Sequence, residues 1–292
     1  MNGIRRLRAS APAVAAGIVG LTLVAIATAA PLRSSAFGEP TVLRVQKFAP
    51  IAVEAPGPMP DWTAMKWQSP HFDETLLGQP GPRTEPTWEK LDSLSQAEAA
   101  LHRHVRVPRT VPEALDDAPS ITLFGASSSS YMLDLPKINR VLADAGVDDV
   151  QLPTSLHGAR LSFDVPAGVT LHWGDRRSGM SLIQVRQPTL TVPAEVDVSA
   201  LRDLALSDPR IGGANPDVVA QLRAIQDWQT TLPIPVRGDS SSTVSIDGAE
   251  GLLVSDARTG THTLLWQRGP VLYGLSGRVD ADILVSVASS LQ

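Results

Sequence analysis

Six histidines, several close pairs of acidic residues, a run of serines and one glycine pair are the residues of this chain whose types and spacing could support chemistry. His102 and His104 stand two apart, and on a helix that spacing points the rings to different sides, so they make no ligand pair. His157, His172 and His262 fall in three separate turn or strand segments. They would hold a metal or act as a base only if the fold brought them together, since the helical ligand motif is missing, and His71 belongs to a spacer. Asp116-Asp117, Asp148-Asp149 and the Asp280/Asp282 pair could supply an acid and a base for glycoside hydrolysis. Their positions account for them without it: Asp280 and Asp282 favour a helix N-terminus, and the other pairs lie in loops. Ser127 to Ser130 lacks the Gly-x-Ser-x-Gly elbow and reads as a polar turn. Gly212-Gly213 precedes a helix, as a phosphate cradle would, but without the accompanying Lys or Gly-x-Gly-x-x-Gly pattern it reads as a loop. No residue is assigned a catalytic, cofactor-binding or metal-ligating role. No cofactor is expected, and the chain is expected not to be an enzyme.

Composition narrows the classes. A chain of 292 residues, 43% of them hydrophobic, has room for one large or two small domains and an ordinary core. A formal net charge of -5, with Lys and Arg scattered outside one N-terminal cluster, argues against a nucleic-acid partner. The absence of cysteine removes disulfides, thiolate nucleophiles and thiolate metal sites together. The 24 prolines suit strand edges and extended connections better than long helices.

Taken in order, the elements that would position any site begin with a leader. Arg5, Arg6 and Arg8 precede an uncharged, Ala-rich run over residues 11–30. Two readings stand: a cleaved signal peptide, supported by Ala27-Thr28-Ala29, and a retained anchor long enough to span a hydrocarbon core of roughly 30 Å, which is the preferred one. Either way the positive cluster stays inside and the bulk of the chain is extracytoplasmic. The expected division is a signal or anchor segment over 1–34, a strand plus Pro/Gly-rich spacer over 35–90, and an extracytoplasmic α+β domain over 91–292. In the second part Thr41 to Ile51 alternates as a strand, whereas Ala55 to Pro86 has no period. Trp62, Trp67 and Trp88 would either dock on the domain or sit in the lipid interface.

The domain itself starts with Ser95-Gln-Ala-Glu98, a capping box ahead of a helix carrying Ala97, Ala100, Leu101 and Val105. Ile121 to Phe124 reads as a strand, and Asp134 caps a helix with Ile138, Val141, Leu142 and Ala145 on one side. Ala159 to Val165, Val169 to Trp173 and Met180 to Gln187 read as a three-strand meander. Helices follow over Val198 to Leu206 and Pro216 to Trp228, then extended Leu232 to Pro235. Thr243 to Ile246 and Ala249 to Ser255 make a hairpin across Asp247-Gly248. The best-specified stretch is the last: strands Thr263 to Gln267 and Val271 to Leu275 joined through Arg268-Gly269-Pro270, then a helix capped by Asp280 with Ile283, Leu284, Val287, Ala288 and Leu291 at helical spacing. Hairpins joined by single helices imply an α+β fold in which a curved antiparallel sheet is covered by helices on one face.

Thr231-Leu-Pro-Ile-Pro235, the Asp247-Gly-Ala-Glu-Gly251 hairpin, Leu264-Leu-Trp-Gln267, Val271-Leu-Tyr-Gly-Leu-Ser-Gly277 and Ala288-Ser-Ser-Leu291 together resemble a domain of unknown function. That domain is found at the extracytoplasmic C-terminal end of some bacterial anti-sigma factors and is similar to lipoprotein-carrier folds. The resemblance implies a non-enzymatic sensory or regulatory role in the envelope, and it carries over no catalytic residues. It does not extend to sigma-factor inhibition: residues 1–10 are too few to hold a sigma-binding module, and the sequence has no zinc-binding His/Cys cluster. The expected partner is an envelope or integral-membrane protein, with membrane contact through residues 11–30. The alternatives are an exported carrier or binding module for an apolar ligand such as a lipid or lipoprotein, and a secreted hydrolase.

Overall fold

The computed structural model describes residues 41–42, 47–52, 78–115, 118–144, 152, 154–175, 179–194, 196, 216–226, 230–236, 241–257 and 259–292. The leader, Trp62, Trp67, His71, Asp116-Asp117, Asp148-Asp149, Gly212-Gly213 and the helix read over 198–206 lie outside the described residues. In chain order the strands and helices of the first half are β1 (Thr41–Val42), β2 (Lys47–Ala52), β3 (Gly78–Thr84), β4 (Trp88–Leu91), α1 (Leu94–Leu101), β5 (Ser120–Phe124), β6 (Ser127–Leu133), α2 (Leu135–Asp144), β7 (Arg160–Val165) and β8 (Gly168–Trp173). The second half adds β9 (Met180–Arg186), β10 (Thr189–Val192), α3 (Pro216–Ala224), β11 (Thr231–Val236), β12 (Ser241–Ile246), β13 (Ala249–Asp256), β14 (Thr261–Arg268), β15 (Val271–Gly277) and α4 (Ala281–Ser289). Antiparallel strands dominate and helices are few.

Local chemistry explains most of these boundaries. Asp247 and Gly248 both take positive φ (48° and 82°), the conformation a two-residue hairpin loop needs, so β12 and β13 pair from Ile246 opposite Ala249 outward. Trp266 and Tyr273 face each other across β14 and β15 and stack with ring centroids 5.1 Å apart. The Asp134 carboxylate accepts the Lys137 N–H at 3.2 Å and so starts α2 as expected. Asp280 occupies the N-cap position of α4 but makes no side-chain cap hydrogen bond.

Four expectations need correcting. The capping box of α1 sits two residues earlier: the Ser93 hydroxyl accepts from the Gln96 N–H, and the Gln96 side-chain oxygen accepts from the Asp92 N–H. Glu98 is thereby free to accept the Val105 N–H at 2.9 Å, beyond the left-handed His102 that ends the helix. The serine run is not a turn but the first half of β6, in which Ser127, Ser129, Tyr131 and Leu133 alternate inward. Part of the aperiodic spacer is also a strand, since Gly78–Thr84 pairs with β6 across a register irregularity between Pro80 and Arg83, and Trp88 lies in β4 with its ring 5.5 Å from that of Phe124. Finally, β7 and β8 do not pair with each other: β7 lies between β6 and β10, whereas β8 lies between β5 and β9. The Pro166-Ala167 link passes the chain from one sheet to another instead of folding it back.

Among the described residues the strands form three sheets. One has the order β12-β13-β14-β15-β9-β8-β5-β4, a second β1-β10-β7-β6-β3, and a third is the parallel pair β11-β2. The segments β9, β8, β5 and β4 of the first sheet continue into β10, β7, β6 and β3 of the second in the same lateral order.

Alternation along the strands splits the core in two. One face of the eight-stranded sheet carries Val169, Leu171, Trp173, Met180, Leu182, Leu264, Trp266, Tyr273 and Leu275, packed with Ala97 of α1 and with Leu284, Val287 and Ala288 of α4. The other face contributes Ile183, Val185 and Leu272, gathered with Phe124 and Val165, and then Leu252 and Val254, gathered with Ile234 and Val236 of β11. Phe48 of β2 joins both of these smaller clusters.

Candidate functional site

The histidines do not converge. His172 lies between Leu171 and Trp173 and so points away from the face that carries them, and its Nδ1 meets the Ser181 hydroxyl at 2.7 Å. His262 shares its parity with Leu264 and Trp266 and so lies on the helix side, where its Nδ1 meets the Ser255 hydroxyl at 2.7 Å. His157 is exposed in the turn after a short 3-10 helix, and the His104 ring pairs with Glu98. Among the described residues no group of His, Asp and Glu could hold a metal ion. Asp280 and Asp282 flank the start of α4, as expected of helix-favouring carboxylates.

His172 belongs to a row of polar side chains crossing five strands. Ser120, His172, Ser181, Ser276 and Thr263 are successive cross-strand partners on β5, β8, β9, β15 and β14. The buried Thr263 hydroxyl donates to Ser276 at 3.0 Å, and His172 Nε2 is buried with no hydrogen-bond partner. A serine beside a histidine resembles half of a hydrolytic dyad, but nothing orients the second ring nitrogen.

The charged side chains that do converge are arginines far apart in sequence. Gln184, Tyr273 and Trp266 face one another across β9, β15 and β14. Two residues further along the same face come Arg186, Val271 and Arg268. The segment leaving α1 closes over this end. Its Arg106 N–H donates to the Gln184 side-chain oxygen at 3.1 Å, the Gln184 amide donates back to the Arg106 carbonyl at 2.6 Å, and the Arg103 guanidinium donates to the Gln184 main-chain carbonyl at 3.0 Å. Gln184 is wholly buried, so its amide works as a clamp holding the strap to the sheet. The Arg106 guanidinium lies near enough to the Tyr273 hydroxyl to pull its pKa down.

The electrostatics follow from this placement. Burial pushes the Tyr273 phenol above its ordinary pKa, against the pull of Arg106, Arg103 and Arg268. Burial also lowers the pKa of Arg103, opposed by Tyr273 and reinforced by the positive charge of Arg186. Arg268 pairs with Asp247 at 2.8 Å. No carboxylate among the described residues pairs with Arg103, Arg106 or Arg186. The sequence offered no local sign of this cluster; the nearest hint is Gln184 itself, a polar residue placed among apolar neighbours in Met180–Arg186.

No family model, curated protein or solved structure matches the chain.

A second concave surface lies beside the parallel pair. A groove of about 480 Å³ is lined by Phe48, Pro50, Ile51, Ala224 and Ile225 with Gln221 among them. In a parallel ladder the N–H and C=O of one residue point the same way, and Lys47 donates to the Thr230 carbonyl, so Phe48, Pro50 and Ala52 turn outward. Gln221 of α3 caps that edge, its side-chain oxygen accepting the Ala52 N–H at 2.7 Å and its amide donating to the Ala52 carbonyl at 3.4 Å. Pro233 and Pro235 take the corresponding outward positions on β11. Both edges are therefore poor templates for another strand, and an occupant of the groove would be held by side chains.

Proposed function

We propose that the chain is a membrane-tethered extracytoplasmic domain of the bacterial envelope with a non-enzymatic sensory or regulatory role, exerted through an envelope or integral-membrane protein. The observation that carries this reading is the arginine cluster. Guanidinium groups stay protonated at any physiological pH, so they hold an acidic group but cannot take up a proton as a general base. The apolar run over residues 11–30 supplies the tether. The fold that accompanies the reading is a curved antiparallel sheet wrapped about helices on one face, similar to lipoprotein carriers. It is supported by the four strand segments that cross between the two larger sheets in unchanged order, as they would in one sheet bent across its middle.

The test uses the full-length chain in its own envelope. Mass spectrometry of the mature N-terminus is expected to find residues 11–30 retained in the membrane fraction, and an integral-membrane protein is expected to copurify with the parent chain. Charge reversal at the exposed rim, Arg186→Glu with Arg268→Glu, should abolish that copurification. A leaderless chain found free in the soluble fraction, or a partner indifferent to the rim, defeats the reading.

The groove favours a second reading, a carrier or binding module for an apolar ligand, because its volume lies within the usual range for small-molecule sites. Solvent extraction of the purified chain would then release a lipid that the Ile225→Asp variant lacks. A hydrolase would rest on the His172–Ser181 and His262–Ser255 pairs.

A further inference from the structure

We infer that Arg103, Arg106, Arg186 and Tyr273 form a site for a phosphate group, carried by a phosphorylated solute or by an anionic lipid headgroup. The inference rests on reading the cluster as a binding site and does not depend on the identity of any envelope partner. Arg103 and Arg106 act on the buried Tyr273 phenol, and Arg186, two residues along the same face, acts on Arg103; with no carboxylate among the described residues paired to them, these three guanidinium groups repel one another, and a bound anion would relieve that repulsion. The fourth, Arg268, already has Asp247 and forms a neutral part of the rim.

The positions are built and not incidental. Arg103 spends one donor on the Gln184 carbonyl, and a guanidinium has five, so most of its fork remains for a ligand. The backbone of Arg106 is held on both sides by the buried Gln184 amide, which sets where its side chain begins. Tyr273, 4% exposed, forms the floor, and stacking on Trp266 fixes its ring. Burial keeps the phenol protonated, so its hydroxyl can donate to an oxyanion.

Charge and shape select the ligand. A carboxylate offers two oxygens and a single charge, against three uncompensated cations. A phosphate monoester carries about -1.5 to -2 and three acceptor oxygens, enough to engage two forked guanidinium groups and a hydroxyl together.

The experiment is a calorimetric titration of the full-length chain in zwitterionic micelles with inorganic phosphate. Saturable binding is expected, weakened about tenfold by Arg186→Gln or Arg106→Gln and less by Tyr273→Phe. Arg268→Gln should leave it nearly unchanged, and acetate should not compete. The exposed Arg186 makes its variant safe for the fold, and the near-ultraviolet signal of the Trp266–Tyr273 stack verifies folding in each case. Short-chain phosphatidic acid, whose headgroup is a phosphate monoester, separates the sources when added to the micelles: displacement of phosphate assigns a headgroup, and its failure to displace assigns a soluble phosphorylated ligand. Absence of saturable phosphate binding by the folded parent chain, or an affinity unchanged from the parent in both Arg106→Gln and Arg186→Gln, overturns the proposal.

Discussion

The two faces of the eight-stranded sheet are built from alternate residues of the same strands, yet they bury different things. On the helix side, Leu264, Trp266, Leu275, Leu284 and Val287 make one continuous apolar core, and polar groups are pushed to its end, where Gln184, Tyr273 and the arginines stand. On the opposite side the apolar area is broken into two small clusters, and a row of hydroxyls with His172 runs across the sheet. The first face is held mainly by burial, which is indifferent to direction; the second depends on hydrogen bonds that must be satisfied one by one. Strand pairing ties the two together, because Thr263 and Leu264 are neighbours in β14 and cannot shift separately.

Substitutions can break this contrast, and the largest effect belongs to the helix side. Trp266 is 2% exposed, and Trp266→Ala removes both its burial and the stack on Tyr273, so urea denaturation should show a loss of about 3–5 kcal/mol. A loss much smaller than that would mean that α4 and α1 do not seal the core as a unit.

The opposite face should respond less, and in a different pattern. Thr263→Val keeps the shape but strips Ser276 of its donor, costing about 1–3 kcal/mol, whereas the Thr263→Val/Ser276→Ala pair should cost less than Thr263→Val alone. Additive losses in the double variant would show that the row is not a network.

The smallest effect concerns the strap that carries Arg103 and Arg106. Hydrogen bonding to the Val105 N–H, and then to His104, holds the Glu98 carboxyl below its ordinary pKa. A depressed folded-state pKa contributes stability above the unfolded value, and that contribution is lost as the pH falls through the folded one. The small difference in melting temperature between the parent chain and Glu98→Gln should therefore be present at neutral pH and fade below about pH 4. A difference that persists in acid would assign Glu98 a role other than its charge.

Legibility in the sequence followed the range of the interactions. The Asp247-Gly248 loop, the β14–β15 pair and the Leu284, Val287 and Ala288 stripe of α4 are readable because each depends on residues within a few positions, through positive φ or a repeating apolar spacing; Ile283, expected on that stripe, is instead exposed. Ser127 to Ser130 was misread because four serines carry no hydrophobic alternation, although two of them are buried in a ladder between β3 and β7. The capping box was misplaced by two residues because Ser93 and Ser95 are equally able to cap; the recruitment of Glu98 by Val105 and His104 separates them, and that contact lies beyond the helix.

What the sequence determined by itself is therefore local: the Asp247-Gly248 turn, the β14–β15 pair and the apolar spacing of α4, all set by backbone sterics and short-range periodicity. Tertiary structure alone decided that β7 and β8 belong to different sheets, and that Arg103 and Arg106 of the strap reach Tyr273 and the end of the sheet face that carries Arg186. Those outcomes depend on strand order and register, which are fixed by the simultaneous burial of many residues and leave no mark on any one stretch of chain.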